Sequence, residues 1–102
     1  MDEVIELLKR KITCLQSFHQ LCQKFLLEAE AGSINNLNTF RKQRHGLIHL
    51  MNHLDLKIKP LIAEKKPQPT QVAPYINEKD ILIKKINELD EKILNHIMNQ
   101  RS

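Results

Sequence analysis

Apolar residues return at steps of three and four in three separate segments of this chain, the spacing that lines one face of an α-helix. The second segment is the clearest. Leu37, Phe40, Leu47, Met51, Leu54, Ile58 and Leu61 share one heptad seam, broken only by Arg44. In the first segment Ile5, Leu8, Ile12, Leu15, Cys22, Leu26 and Ala29 form the seam, and Val4, Phe18 and Phe25 widen it. The third has Leu82, Ile86, Leu89 and Ile93 in register, while Ile81, Ile83, Leu94, Ile97 and Met98 make it apolar over more than one face. These patterns predict an all-α chain.

Punctuation between the segments sets the expected boundaries. The first helix should run from about residue 2 to 31 and stop at Gly32, because glycine enters the left-handed region without steric cost. Ser33 then offers a hydroxyl to cap a second helix over about 34–62. So short a connection predicts an antiparallel hairpin. Acidic Asp2, Glu3 and Glu6 at the start of helix one, and Lys57 and Lys59 near the end of helix two, suit the helix dipoles. Pro60 is either tolerated by the second helix or ends it, and residues 64–75, with three prolines, read as a flexible linker. Asn77 and Asp80 resemble a cap, with Ile76 and Ile81 placed as a hydrophobic staple, for a third helix over about 78–99. The expected architecture is one helical domain over 1–102: a long hairpin plus a third helix, a coiled-coil-like three-helix bundle whose third member docks less firmly.

Composition narrows the picture. With 102 residues, three Phe, one Tyr, no Trp and two Gly, the chain lacks the turns and aromatic strands of a β-sandwich. Two glycines also leave little material for a phosphate-cradling loop, and no nucleophile elbow or H-E-x-x-H is present. No catalytic residue and no cofactor site is expected. Cys14 and Cys22, eight residues apart on one helix, are separated by about 12 Å of axial rise and cannot form an intrahelical disulfide. No signal peptide is expected at the acidic start, and no stretch reaches the ~20 apolar residues of a membrane span, so a cytoplasmic protein is expected.

Three polar constellations interrupt the apolar pattern. His45, His49 and His53 repeat at intervals of four, a spacing from which a pair can bind metal, but their outward heptad positions favour exposed histidines without a native metal. The net charge of +4 resides in the middle segment, on Arg41, Lys42, Arg44, Lys57 and Lys59. A solvated helix face explains these as well as a phosphate backbone does. Arg44 differs because it occupies the seam. Folding the hairpin about Ser33 sets it beside Cys22, as a register-fixing layer, as an arginine reaching a carboxylate at the rim, or as an anchor for a partner's acidic group. Finally, Asn52-His53-Leu54-Asp55-Leu56-Lys57-Ile58 and Asn87-Glu88-Leu89-Asp90-Glu91-Lys92-Ile93 share an N-x-L-D-x-K-I core, read as one heptad solution used twice.

Most of the chain resembles a known family. Phe25-Leu26-Leu27-Glu28-Ala29-Glu30-Ala31-Gly32-Ser33-Ile34-Asn35-Asn36-Leu37, then Arg44-His45-Gly46-Leu47-Ile48, then Ile86-Asn87-Glu88-Leu89-Asp90-Glu91-Lys92-Ile93 are similar to the small flagellar export chaperones of the FliT and FlgN type. The resemblance implies a cytoplasmic protein that binds the helical end of a flagellar export substrate and delivers it to the export apparatus. Apolar groups beyond one seam agree with a partner-binding role, or with pairing of two copies of the chain. The partner-binding candidates are Ile83, Leu94, Ile97, Met98, Arg41 and Arg44. One rival is a basic helical module for nucleic acid, which would lack a helix-turn-helix or an aromatic stacking platform. Another is a small helical enzyme, since residues 84–94 resemble the opening helix of all-helical chorismate mutases; those enzymes carry that helix first, whereas here it comes last.

Overall fold

The computed structural model describes residues 2–32 and 36–101. Three helices follow one another: α1 (Asp2–Glu30), α2 (Leu37–Lys65) and α3 (Pro69–Arg101). They form an elongated bundle of 51 × 21 × 18 Å. The all-α, three-helix reading holds. Gly32 takes φ +90° after the last turn of α1, and its N–H bonds to the Ala29 carbonyl at 3.0 Å. The expected cap at Ser33 lies outside the described residues.

α1 and α2 run antiparallel, and α3 returns parallel to α1. α1 is the central helix. It supplies most of the buried apolar residues, including Val4, Leu15, Phe18, Cys22, Phe25 and Ala29, whereas α2 buries Phe40, Leu54 and Ile58 and α3 buries Val72, Ile86 and Ile93. Its apolar stripe is wide enough to serve two neighbours at once. Both α2 and α3 pack along it, yet among the described residues no Cα of α2 comes within 8 Å of one of α3. Close helix pairs sit 8–10 Å apart between axes. The α2/α3 seam is therefore open at backbone level and bridged only by side chains.

The core divides in two along this length. Leu15, Phe18, Cys22, Phe25, Leu26, Ala29, Phe40, Ile86 and Ile93 form the larger cluster, with Phe25 and Phe40 stacked at 4.1 Å across the hairpin. Val4, Leu7, Leu8, Leu54, Ile58 and Val72 form the other.

The expected linker is corrected by the third helix, which begins at Pro69 rather than near Glu78. Only residues 66–68 separate the two helices. Three features account for this. Lys66 closes α2 in the left-handed region at φ 44°, its N–H bonded to the Ile62 carbonyl, and Pro67 follows where a helix cannot continue. Pro69 then occupies the first helical position, where its missing N–H costs nothing. Pro74 does forfeit a bond inside α3, but Val72, Tyr75 and Ile76 repeat at helical spacing and pack against the second cluster. Burial outweighs the proline. Asn77 and Asp80 consequently lie within α3 rather than at its cap, and Ile81 is 56% exposed instead of stapled. Pro60 is likewise inside a helix, at an exposed position, and α2 extends to Lys65, so Lys57 and Lys59 fall short of its last turn. The ground for weak docking of the third helix, a long flexible connection, is absent.

Candidate functional site

The open seam between α2 and α3 carries two adjoining hollows that meet at one ion pair. The first, of 290 Å³, has Leu15 and Phe18 of α1 as its floor, with Ile48, Met51, Asn52 and Asp55 on the α2 wall and Ile83, Ile86, Asn87 and Asp90 on the α3 wall. The second, of 280 Å³, lies toward the hairpin tip between Leu37, Phe40 and Arg41 of α2 and Ile93, Leu94 and Ile97 of α3. Arg44 and Asp90 line both. Together they make one apolar groove with a polar bar across it.

The bar joins a seam residue to a flanking one. Arg44 holds a seam position on α2, Asp90 lies beside the α3 seam next to Leu89, and Nη2 of Arg44 donates to Oδ2 of Asp90 at 2.7 Å. The guanidinium also sits 5.5 Å over the Phe18 ring, a cation–π arrangement that lets its charge rest on the apolar floor. On the other carboxylate oxygen Asp90 accepts from the Cys22 thiol at 3.8 Å. Burial first, then the negative charge of Asp90, pushes the Cys22 thiol up to about 12, against a smaller opposing pull from Arg44. Burial raises Cys14 as well, and its thiol donates to the Leu47 carbonyl at 3.6 Å. Both cysteines are free and buried. At the far end of the first hollow Lys11 of α1 donates to Asp55 of α2 at 2.6 Å. Four charges thus meet the first hollow as two neutral pairs, and exposed Arg41 brings a fifth charge to the second.

Of the six sequence-selected positions, Arg41, Arg44, Leu94 and Ile97 come together in the second hollow. Ile83 lies in the first, half-buried against the larger cluster, as Ile97 also is. Met98 lines neither hollow and is 59% exposed; Leu94 is 56% exposed. Arg44 reaches a carboxylate at the rim, that of Asp90, which also accepts from Cys22. His45, His49 and His53 all lie exposed on α2. Among the described residues no group of three or more His, Cys, Asp or Glu is arranged to hold a metal.

Sequence reasoning missed Lys11, Asn52, Asp55, Asn87 and Asp90. The repeated N-x-L-D-x-K-I core was the available signal. It places Asn and Asp three residues apart on one helical face in both α2 and α3, and the fold turns those two faces toward one cleft.

No helix is long and apolar enough to cross a membrane, among the described residues. Comparison with family models, with curated proteins and with solved structures finds no match to this chain.

Proposed function

We propose that this chain is a binding protein rather than an enzyme, and that it works in the cytoplasm as a flagellar export chaperone. It captures the apolar helical end of an export substrate at the hairpin-tip end of the α2/α3 groove and hands it to the export apparatus. One observation carries the reading: a lengthwise apolar groove lies between two helices that do not close on each other, flanked at one end by exposed Leu94 and Met98. A helix offering side chains at i, i+3 and i+4 can seat them at the hairpin-tip end of this groove, over Leu94 and Ile97. The resemblance of residues 25–37, 44–48 and 86–93 to the export chaperones supplies the class of partner.

Calorimetric titration of the full chain with flagellar export substrates tests this. Leu94→Ser and Met98→Ser should weaken capture about tenfold together, since each removes apolar area at the proposed interface. Both residues are exposed, so melting of the free chain should not change. Failure to bind any such substrate, or binding indifferent to both substitutions, overturns the proposal. Binding to RNA that falls steeply with added salt would point instead to the exposed Arg41, Lys42, Lys57 and Lys59.

A further inference from the structure

The first hollow holds two polar groups that the fold does not use. Asn52 on α2 and Asn87 on α3 line opposite walls of the cleft, both residues are exposed, and neither amide has a hydrogen-bond partner among the described residues. Every charge around them is already committed: Lys11 to Asp55 at one end, Arg44 to Asp90 at the other. Below lies an apolar floor of Leu15 and Phe18, with Ile48, Met51, Ile83 and Ile86 rising from the sides. An occupant of this cleft therefore meets no net charge, a carboxamide on each wall and an apolar base.

That combination selects a chemistry. A carboxamide presents one acceptor oxygen and two N–H donors, matching the C=O and N–H of a peptide bond. An α-helix has no need of such partners along its length, because its backbone groups are paired internally, and at 10–12 Å across it would rest on the rim. An extended segment differs in both respects. Its backbone groups are unpaired, and it is thin enough to lie in a hollow of 290 Å³ with one apolar side chain on the floor.

We propose that the cleft between α2 and α3 binds an uncharged, extended peptide segment, with Asn52 and Asn87 hydrogen-bonding its backbone and Phe18 and Leu15 receiving one apolar side chain. The inference rests on the reading of this face as a partner-binding surface and names what enters its middle. A partner helix lying on Leu94 and Met98 continues as an extended chain past the Arg44–Asp90 bar.

The probe is a blocked pentapeptide with one leucine among alanines, too short to hold a helix in water. The isotopically labelled full chain is titrated with it to millimolar concentration while the side-chain amide signals are followed by nuclear magnetic resonance. The Asn52 and Asn87 amide signals should shift saturably. Methylating the two peptide nitrogens that flank the leucine, or substituting Asn52→Ala or Asn87→Ala, should each weaken binding about five- to tenfold, the effect of one lost hydrogen bond. Equal affinity for the methylated peptide, undiminished binding by both variants, no saturable shift, or tighter binding of a helix-stapled version overturns the proposal. The chaperone reading fails separately, through loss of substrate capture in the Leu94→Ser and Met98→Ser experiment, which does not involve the asparagines.

Discussion

Arg44, Asp90 and Cys22 make one polar layer inside an otherwise apolar seam, and its parts depend on one another. Arg44→Leu adds apolar surface over Phe18 but leaves Asp90 beside a nonpolar wall without its counter-ion. The loss should be ~1 kcal/mol in denaturant unfolding, modest because water still reaches both groups. Arg44→Leu with Asp90→Leu should recover it, as removal of a whole pair is often neutral where removal of one member is not. Cys22 offers a pH test of the same layer. Its thiol rises from an ordinary value of 9.0 to about 12 in the folded chain, so the folded state holds a proton that the unfolded state releases. That contribution is complete below pH 9 and declines as pH rises from there toward 12. Unfolding measured between pH 8 and 10.5 should show stability falling less steeply in Cys22→Ala than in the parent chain. Sequence showed Arg44 to be out of place in its seam. It could not show Asp90 to be the answer, because Asp90 reaches Arg44 only when α3 lies parallel to α1.

α3 shows how packing overrules local preference. Three prolines in residues 64–75 marked a linker, and at the level of single residues each of them does disfavour a helix interior. Position decides otherwise. Pro67 lies between the helices, Pro69 at a helix start, and only Pro74 forfeits a bond. Val72, Tyr75 and Ile76 carried the helical period that should have weighed against the prolines, and Val72 is buried against Val4, Leu7 and Leu8. Val72→Ser should therefore cost ~2 kcal/mol and fray the start of α3, seen as faster amide exchange over residues 70–78. Pro74→Ala should do the reverse. The position is exposed, so restoring the bond to the Thr70 carbonyl should raise stability by ~1 kcal/mol in thermal melts, after allowance for the more flexible unfolded chain. The hairpin was easier to read. Gly32 and two long seams with a six-residue gap left one way to fold.

At the scale of the molecule, the arrangement follows from unequal helices. α1 has an apolar face broad enough for two partners, while α2 and α3 each bury little of their own and stay apart at the backbone. Opening α3 from α2 alone would leave both still attached to α1, so slowest amide exchange is expected in α1, over residues 8–26, with α2 and α3 alike and faster. Markedly faster exchange in α3 than in α2 would show that the third helix docks weakly despite its short connection. The same geometry makes the groove a standing feature. Its floor belongs to the central helix, its walls to helices that do not need each other, and all its charges but Arg41 cancel in pairs. Such a surface should bind through apolar area and amide hydrogen bonds. Raising salt from 50 to 500 mM should then change affinity for an apolar helical substrate less than about threefold, because exposed charges contribute little to the contact. Loss of affinity by two or more orders of magnitude over that range would mean that the exposed Lys42, Lys57 and Lys59 of α2 carry the binding, and the groove would not be the site.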